Sequence, residues 1–140
     1  MKSYIKHSFD VIKLVKHISP VPSHARIFTS DAVAMYPNIL QSEVIPTLAK
    51  YLRYFGKESD PFLPTHVIMI LLKLVMNNCI FKFGDTFWLQ REGTAMGTPC
   101  ACIYAILFVA YFERTLLLQK YKKNLLLYER QIDNILGIWI

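Results

Sequence analysis

The chain has 140 residues, a net charge of +6 and a pI near 9.3. Its hydrophobic share of 54% and aromatic share of 14% exclude a disordered chain, and its length suits one domain better than two. The apolar share exceeds the about 45–50% usual for a soluble domain, so surfaces covered by something further are expected.

The first 25 residues form a basic, weakly periodic segment carrying Lys2, Lys6, Lys13 and Lys16. A start so rich in lysine is not that of a secretory signal. Pro20 and Pro22 close it as an extended linker, and residues 26–140 are read as one folded region. Lys120, Lys122 and Lys123 gather near the other end. This basic balance permits an acidic partner such as nucleic acid but fits two solvated faces equally well.

Ala25 to Ser30 reads as a short buried strand ending at Asp31. Tyr36-Pro37-Asn38 is a turn, and Ser42 is placed to cap a helix in which Val44, Leu48, Leu52 and Phe55 share a face. Pro46 is expected in its first turn, where a missing N–H costs little, and Gly56 ends it. Asp60-Pro61 and Pro64 introduce a second helix with a buried stripe of Ile68, Leu71, Leu72 and Val75, closed by Asn77-Asn78. Two aromatic runs, Cys79 to Phe83 and Thr86 to Gln90, flank Gly84-Asp85 as a β-hairpin.

After a loop from Gly93 to Pro99, a long helix is expected from about Pro99 to Lys120. It is apolar almost all round between Ile103 and Phe112, the pattern of a buried helix. That run and Val67 to Met76 both fall short of the ~18–20 residues a membrane span needs, so no membrane is expected. The chain then ends in a hairpin, Leu125 to Ile132 and Ile135 to Ile140, with Asp133-Asn134 at its turn. Cys79, Cys100 and Cys102 fit no zinc spacing and read as buried free thiols of a reducing compartment.

Two acids on separate strands bracket the glycine loop. Phosphoryl transfer from a nucleoside triphosphate uses two divalent ions about 3.5–4 Å apart, and neighbouring strands lie ~4.8 Å apart. Asp31 and Asp133 could therefore share such ions if their strands pair. Gly93 and Gly97 would let backbone approach a ligand, with Thr94 and Thr98 adding hydroxyls. Singly, each feature has an ordinary explanation. A strand-end aspartate forms turns, Tyr36 suits a half-buried turn, Gln90 and Arg91 are common after a strand, and the loop could merely start the next helix. Their joint order carries the case.

Phe28 to Ile39, with Asp31, Tyr36 and Asn38, resembles the first palm motif of reverse transcriptases. Gln90 to Pro99, followed by Tyr104 to Phe108 and by Phe112-Glu113, resembles the second. Gln131-Ile132-Asp133-Asn134-Ile135-Leu136-Gly137-Ile138-Trp139 resembles the third, which usually ends in a double aspartate. The wording is most similar to Penelope-like retroelements. The resemblance implies an α+β polymerase palm over residues 26–140, incomplete at its C-terminus, with a small antiparallel sheet and helices packed on one face.

It also implies an RNA-directed DNA polymerase using two Mg²⁺ or Mn²⁺ ions, with an RNA template, a DNA primer and dNTPs as partners. By resemblance, Asp31, the Ala32 carbonyl and Asp133 hold metal. Tyr36 stacks under the sugar, and Gln90, Gly93, Thr94 and Gly97 shape the nucleotide pocket. An enzyme of this kind would be intracellular, and nuclear in a working retroelement.

Asn134 departs from the pattern by replacing the second acid. At ~4 Å and an effective dielectric near 20 one charge pair is of the order of 4 kcal/mol, enough to weaken metal binding. Some negative-strand RNA virus polymerases are similar in carrying Asp-Asn there. Fingers and thumb regions are expected to be missing, so the isolated chain is expected to be inactive. The alternatives are a non-catalytic remnant and a nucleic-acid-binding module that retains the palm.

Overall fold

A computed structural model of the chain describes residues 4–5, 7–18, 20–55 and 63–140. Lys2, Lys6, Gly56, Asp60 and Pro61 lie outside the described residues. The protein is mixed α and β with small antiparallel sheets. It divides into two compact units, Met1–Val33 with Phe112–Ile140, and Ala34–Tyr111.

The first unit holds α1 (Ser8–Lys16), β1 (Arg26–Asp31), β4 (Leu125–Gln131) and β5 (Asn134–Trp139). β1, β5 and β4 form an antiparallel sheet with β5 in the middle. The β4–β5 turn is Ile132-Asp133, between Gln131 and Asn134. Phe28, Ile135 and Tyr128 lie on one face of the sheet. There they pack with Leu117, Leu118, Tyr121 and Leu125, which come from a π-helical turn (Glu113–Leu117), α6 (Leu118–Tyr121) and the start of β4. A Cβ on Gly137 would overlap the Phe28 ring, which would have to shift to admit it.

β1 was expected to be buried, yet only Phe28 is even half-buried and Ile27 is 75% exposed. β1 is an edge strand, hydrogen-bonded within the sheet to β5 alone, and the face that carries Ile27 is left uncovered there.

The second unit holds α2 (Met35–Asn38), α3 (Gln41–Phe55), α4 (Thr65–Asn77), β2 (Ile80–Phe83), β3 (Thr86–Leu89) and most of α5 (Ala101–Phe112). Its core gathers Met35, Ile39, Val44, Leu48, Met76, Ala95, Ala101, Tyr104 and Ala105. The Tyr36-Pro37-Asn38 turn is one helical turn, entered through a left-handed Ala34. α3 begins two residues earlier than expected, because the Leu40 carbonyl accepts the Glu43 and Val44 N–H groups. Ser42 is thus inside the first turn rather than its cap. Pro46 sits beyond that turn and leaves the Ser42 carbonyl without its usual helical donor.

α4 ends at Asn77 as expected, with the Asn78 side chain donating to the Leu74 carbonyl at 2.6 Å. Its expected stripe is only partly covered. Ile68 and Leu72 are half-buried, Leu71 and Val75 are exposed, and Met76 is the buried residue. The β2–β3 hairpin forms as expected around Gly84, with φ +61°, but all of its strand residues are exposed.

The helical run Ala101–Tyr121 spans 21 residues, long and apolar enough to cross a membrane by length and composition alone. It carries Glu113 and Arg114 at mid-length, and Glu113 is held in a buried ion pair with Arg130 of β4. That is the environment of a helix packed on protein. The run is not buried all round as its sequence predicts, since Ile103 and Leu116 are each 63% exposed. The three cysteines are free and half-buried rather than buried.

Candidate functional site

The antiparallel register of β1 and β5 places Asp31 opposite Asn134, and β4 and β5 place Gln131 opposite the same residue. Asp133 lies in the two-residue turn between them. Its carbonyl accepts the Ala32 N–H at 3.0 Å, so the chain leaving β1 remains tied to that turn. Its carboxylate accepts the Asn134 amide N–H at 2.9 Å. Asp31, Ala32, Asp133 and Asn134 therefore share one end of the sheet, with Asp31 exposed and Asp133 half-buried.

The turn is conformationally unusual. Ile132, a β-branched residue, adopts φ +56°, a region such side chains rarely enter. Arg130 reaches back to it, donating from Nη1 to the Ile132 carbonyl at 2.7 Å. The same guanidinium donates to both Glu113 carboxylate oxygens at 2.7 and 3.0 Å. The Tyr128 hydroxyl donates to Glu113 Oε1 at 2.8 Å. Burial pushes the Tyr128 hydroxyl up, and its bond to Glu113 adds to the effect.

A cleft of about 410 Å³ opens beside Asp31. Asn134, Gln131, Thr29 and Glu129 contribute its polar wall, and Ile5 and Val11 are part of its apolar wall. Glu129 is 6% exposed, and its Oε2 makes no hydrogen bond among the described residues. Burial pushes its carboxyl up to about 7, and the charge of Glu113 adds to the shift. Sequence reasoning missed this acid. The signal was present in strand alternation: Glu129 is two residues before Gln131, hence on the same face.

Among the described residues no three His, Cys, Asp or Glu side chains group as metal ligands. Asp31 and Asp133 offer carboxylate oxygens and Ala32 a backbone carbonyl, the donor chemistry a magnesium-type ion takes.

The other residues singled out in the sequence belong to the second unit. The Thr94 N–H donates to the Tyr36 carbonyl at 2.8 Å. Gly93 has φ +70°, and a Cβ there would stand 3.0 Å from the Pro37 backbone. Its close approach is thus to its own chain. Gln41 secures the loop by donating to the Gly93 carbonyl at 3.3 Å. Thr94 is buried, and so is Tyr104, whose hydroxyl burial pushes up to about 12 despite the nearby Thr94. Neither hydroxyl completes a well-formed hydrogen bond among the described residues.

Tyr36, Gly93 and Thr94 are therefore neighbours, with Tyr36 half-buried. Gln90 closes the hairpin, its N–H on the Cys79 carbonyl and its side chain on the Glu92 carbonyl at 3.0 Å. Gly97 has φ +91° and open space where a Cβ would be.

No protein-family model matches the chain, and no curated protein or solved structure matches it.

Proposed function

We propose that the chain is a polymerase palm of the reverse-transcriptase kind, derived from a Penelope-like retroelement. In this reading Asp31 and Asp133 hold divalent ions for nucleotidyl transfer. The observation that carries the reading is the register of β1 on β5: two acids 102 positions apart in sequence meet at one sheet end, joined by the Ala32–Asp133 hydrogen bond.

Asp31, exposed at a strand tip, is open to a substrate. Asp133 is oriented by Asn134 and by the hairpin turn. When bound, divalent ions would lower the charge on the triphosphate and activate a primer 3′-hydroxyl. Asn134 contributes an amide where a charge is usual, so the pair carries less negative charge than the family pattern. By the resemblance, Tyr36, Gln90, Gly93, Thr94 and Gly97 would shape the nucleotide pocket.

The test is extension of a DNA primer on an RNA template with dNTPs and Mg²⁺ or Mn²⁺, comparing the chain with Asp31→Ala. Extension lost on substitution supports an enzyme. Salt-dependent template binding without extension supports a binding module, and neither result supports a remnant.

A further inference from the structure

The buried pair between Arg130 and Glu113 has a feature that core stability alone does not require. An ion pair buried in a core is weak evidence of stabilisation, because desolvation offsets its attraction. Arg130 is 1% exposed, and two of its donors are taken by Glu113 in the bidentate geometry that fixes a guanidinium plane. Nη1 points out of the pair and donates to the Ile132 carbonyl. Ile132 is the residue with a left-handed backbone, and Asp133 is next in the chain.

From these contacts we infer that Arg130, clamped by Glu113, is a positioning residue that holds the Ile132 peptide in its left-handed turn and so aims Asp133. Glu113 belongs to the π-helical turn Glu113–Leu117, and turns of this type often accompany functional positions. The chain of contacts is Glu113 carboxylate, Arg130 guanidinium, Ile132 carbonyl, Asp133. A lysine at position 130 could keep a charge near Glu113 but could not reproduce the planar fork and the third bond together. The metal consequence rests on the reading of Asp133 above; the turn-holding role does not.

Two readouts on the purified full chain test this. The first is hydrogen exchange of the Ala32 amide, which donates to the Asp133 carbonyl, compared with the Ile140 amide at the far end of the same hairpin. The second is Mn²⁺ affinity by electron paramagnetic resonance in the presence of dNTP. Arg130→Lys should speed Ala32 exchange at least about 10-fold relative to Ile140 and weaken Mn²⁺ binding by about 10-fold, the low end for loss of a supporting contact. Glu113→Gln, which preserves side-chain shape, should move both readouts in the same direction by less, and it serves if Arg130→Lys fails to fold.

Unchanged Ala32 exchange, or equal acceleration at both amides, in the folded variants overturns the inference. Failure of the wild-type chain to bind Mn²⁺, with selective Ala32 acceleration intact, overturns the metal reading while leaving the positioning role.

Discussion

Asp31 is the cross-strand partner of Asn134, not of Asp133. The exposed acid thus faces a neutral amide across the sheet, and the second acid reaches the same end through the hairpin turn. This sets the charge of the candidate site. Two carboxylates meet there, with an amide between them that donates to one of them.

Asn134→Asp should therefore have opposite effects with and without metal. Without metal, a third carboxylate beside Asp31 and Asp133 is destabilising through like-charge repulsion, and the hydrogen bond to Asp133 is lost. We expect a loss of about 1 kcal/mol in urea unfolding, the size of one hydrogen bond. With dNTP present, Mn²⁺ affinity should rise about 10-fold, because each added charge at this range is of the order of a few kcal/mol before desolvation.

Glu129 supplies a pH dependence whose sign is fixed by its raised carboxyl. The folded state retains the Glu129 proton up to about 7, whereas an unfolded glutamate releases it near 4.5. Between those values the folded state binds more protons, so its stability falls as pH rises. The contribution is fully present below about 4.5 and lost by the time pH passes 7. The difference should be on the order of 3 kcal/mol, from a shift of this size. Melting temperatures from pH 4.5 to 8 should decline more steeply for wild type than for Glu129→Gln, which stays neutral throughout.

Ile132→Gly isolates the turn. Relief of a β-branched residue at positive φ should stabilise the chain by about 1 kcal/mol. The freed backbone should also weaken Mn²⁺ binding, so that stability and affinity move in opposite directions. Calorimetric melting and Mn²⁺ titration of one preparation measure both.

The glycines separate by cause. Gly93→Ala meets both an unfavourable φ and the Pro37 backbone and should cost about 2–3 kcal/mol. Gly97→Ala meets only the φ penalty, because its surroundings are open, and should cost about 1–2 kcal/mol. Gly137→Ala has no φ problem but displaces the Phe28 ring, costing about 1–3 kcal/mol by overpacking. Adding Phe28→Leu should recover part of that last loss, a coupling visible in a double-mutant cycle.

Much of the fold was legible because its signals are local. Gly84-Asp85 marks a two-residue hairpin, Asn77-Asn78 closes α4, and Asp133 interrupts an apolar hairpin. Burial was read less well, because it depends on what lies across from each face. β1 reads as buried from Ile27 and Phe28, but as an edge strand it leaves Ile27 open. Ser42 has the chemistry of a cap, yet the carbonyl of Leu40 starts the helix two residues sooner. In the candidate site, Asp31 and Asp133 were visible as acids at strand ends. The Arg130–Glu113 clamp was not, since it joins residues 17 positions apart on different elements. Glu129 was hidden because its importance comes from the β4–β5 register, which places it on the Asp31 face.

The central claim is that Asp31 and Asp133 together hold a divalent ion, and Mn²⁺ titration of the purified chain tests it most directly. With dNTP present, the account predicts saturable Mn²⁺ binding that either Asp31→Asn or Asp133→Asn reduces by at least about 10-fold, while the chain remains folded by circular dichroism. No saturable binding by the wild-type chain, or binding that survives both substitutions, would contradict it.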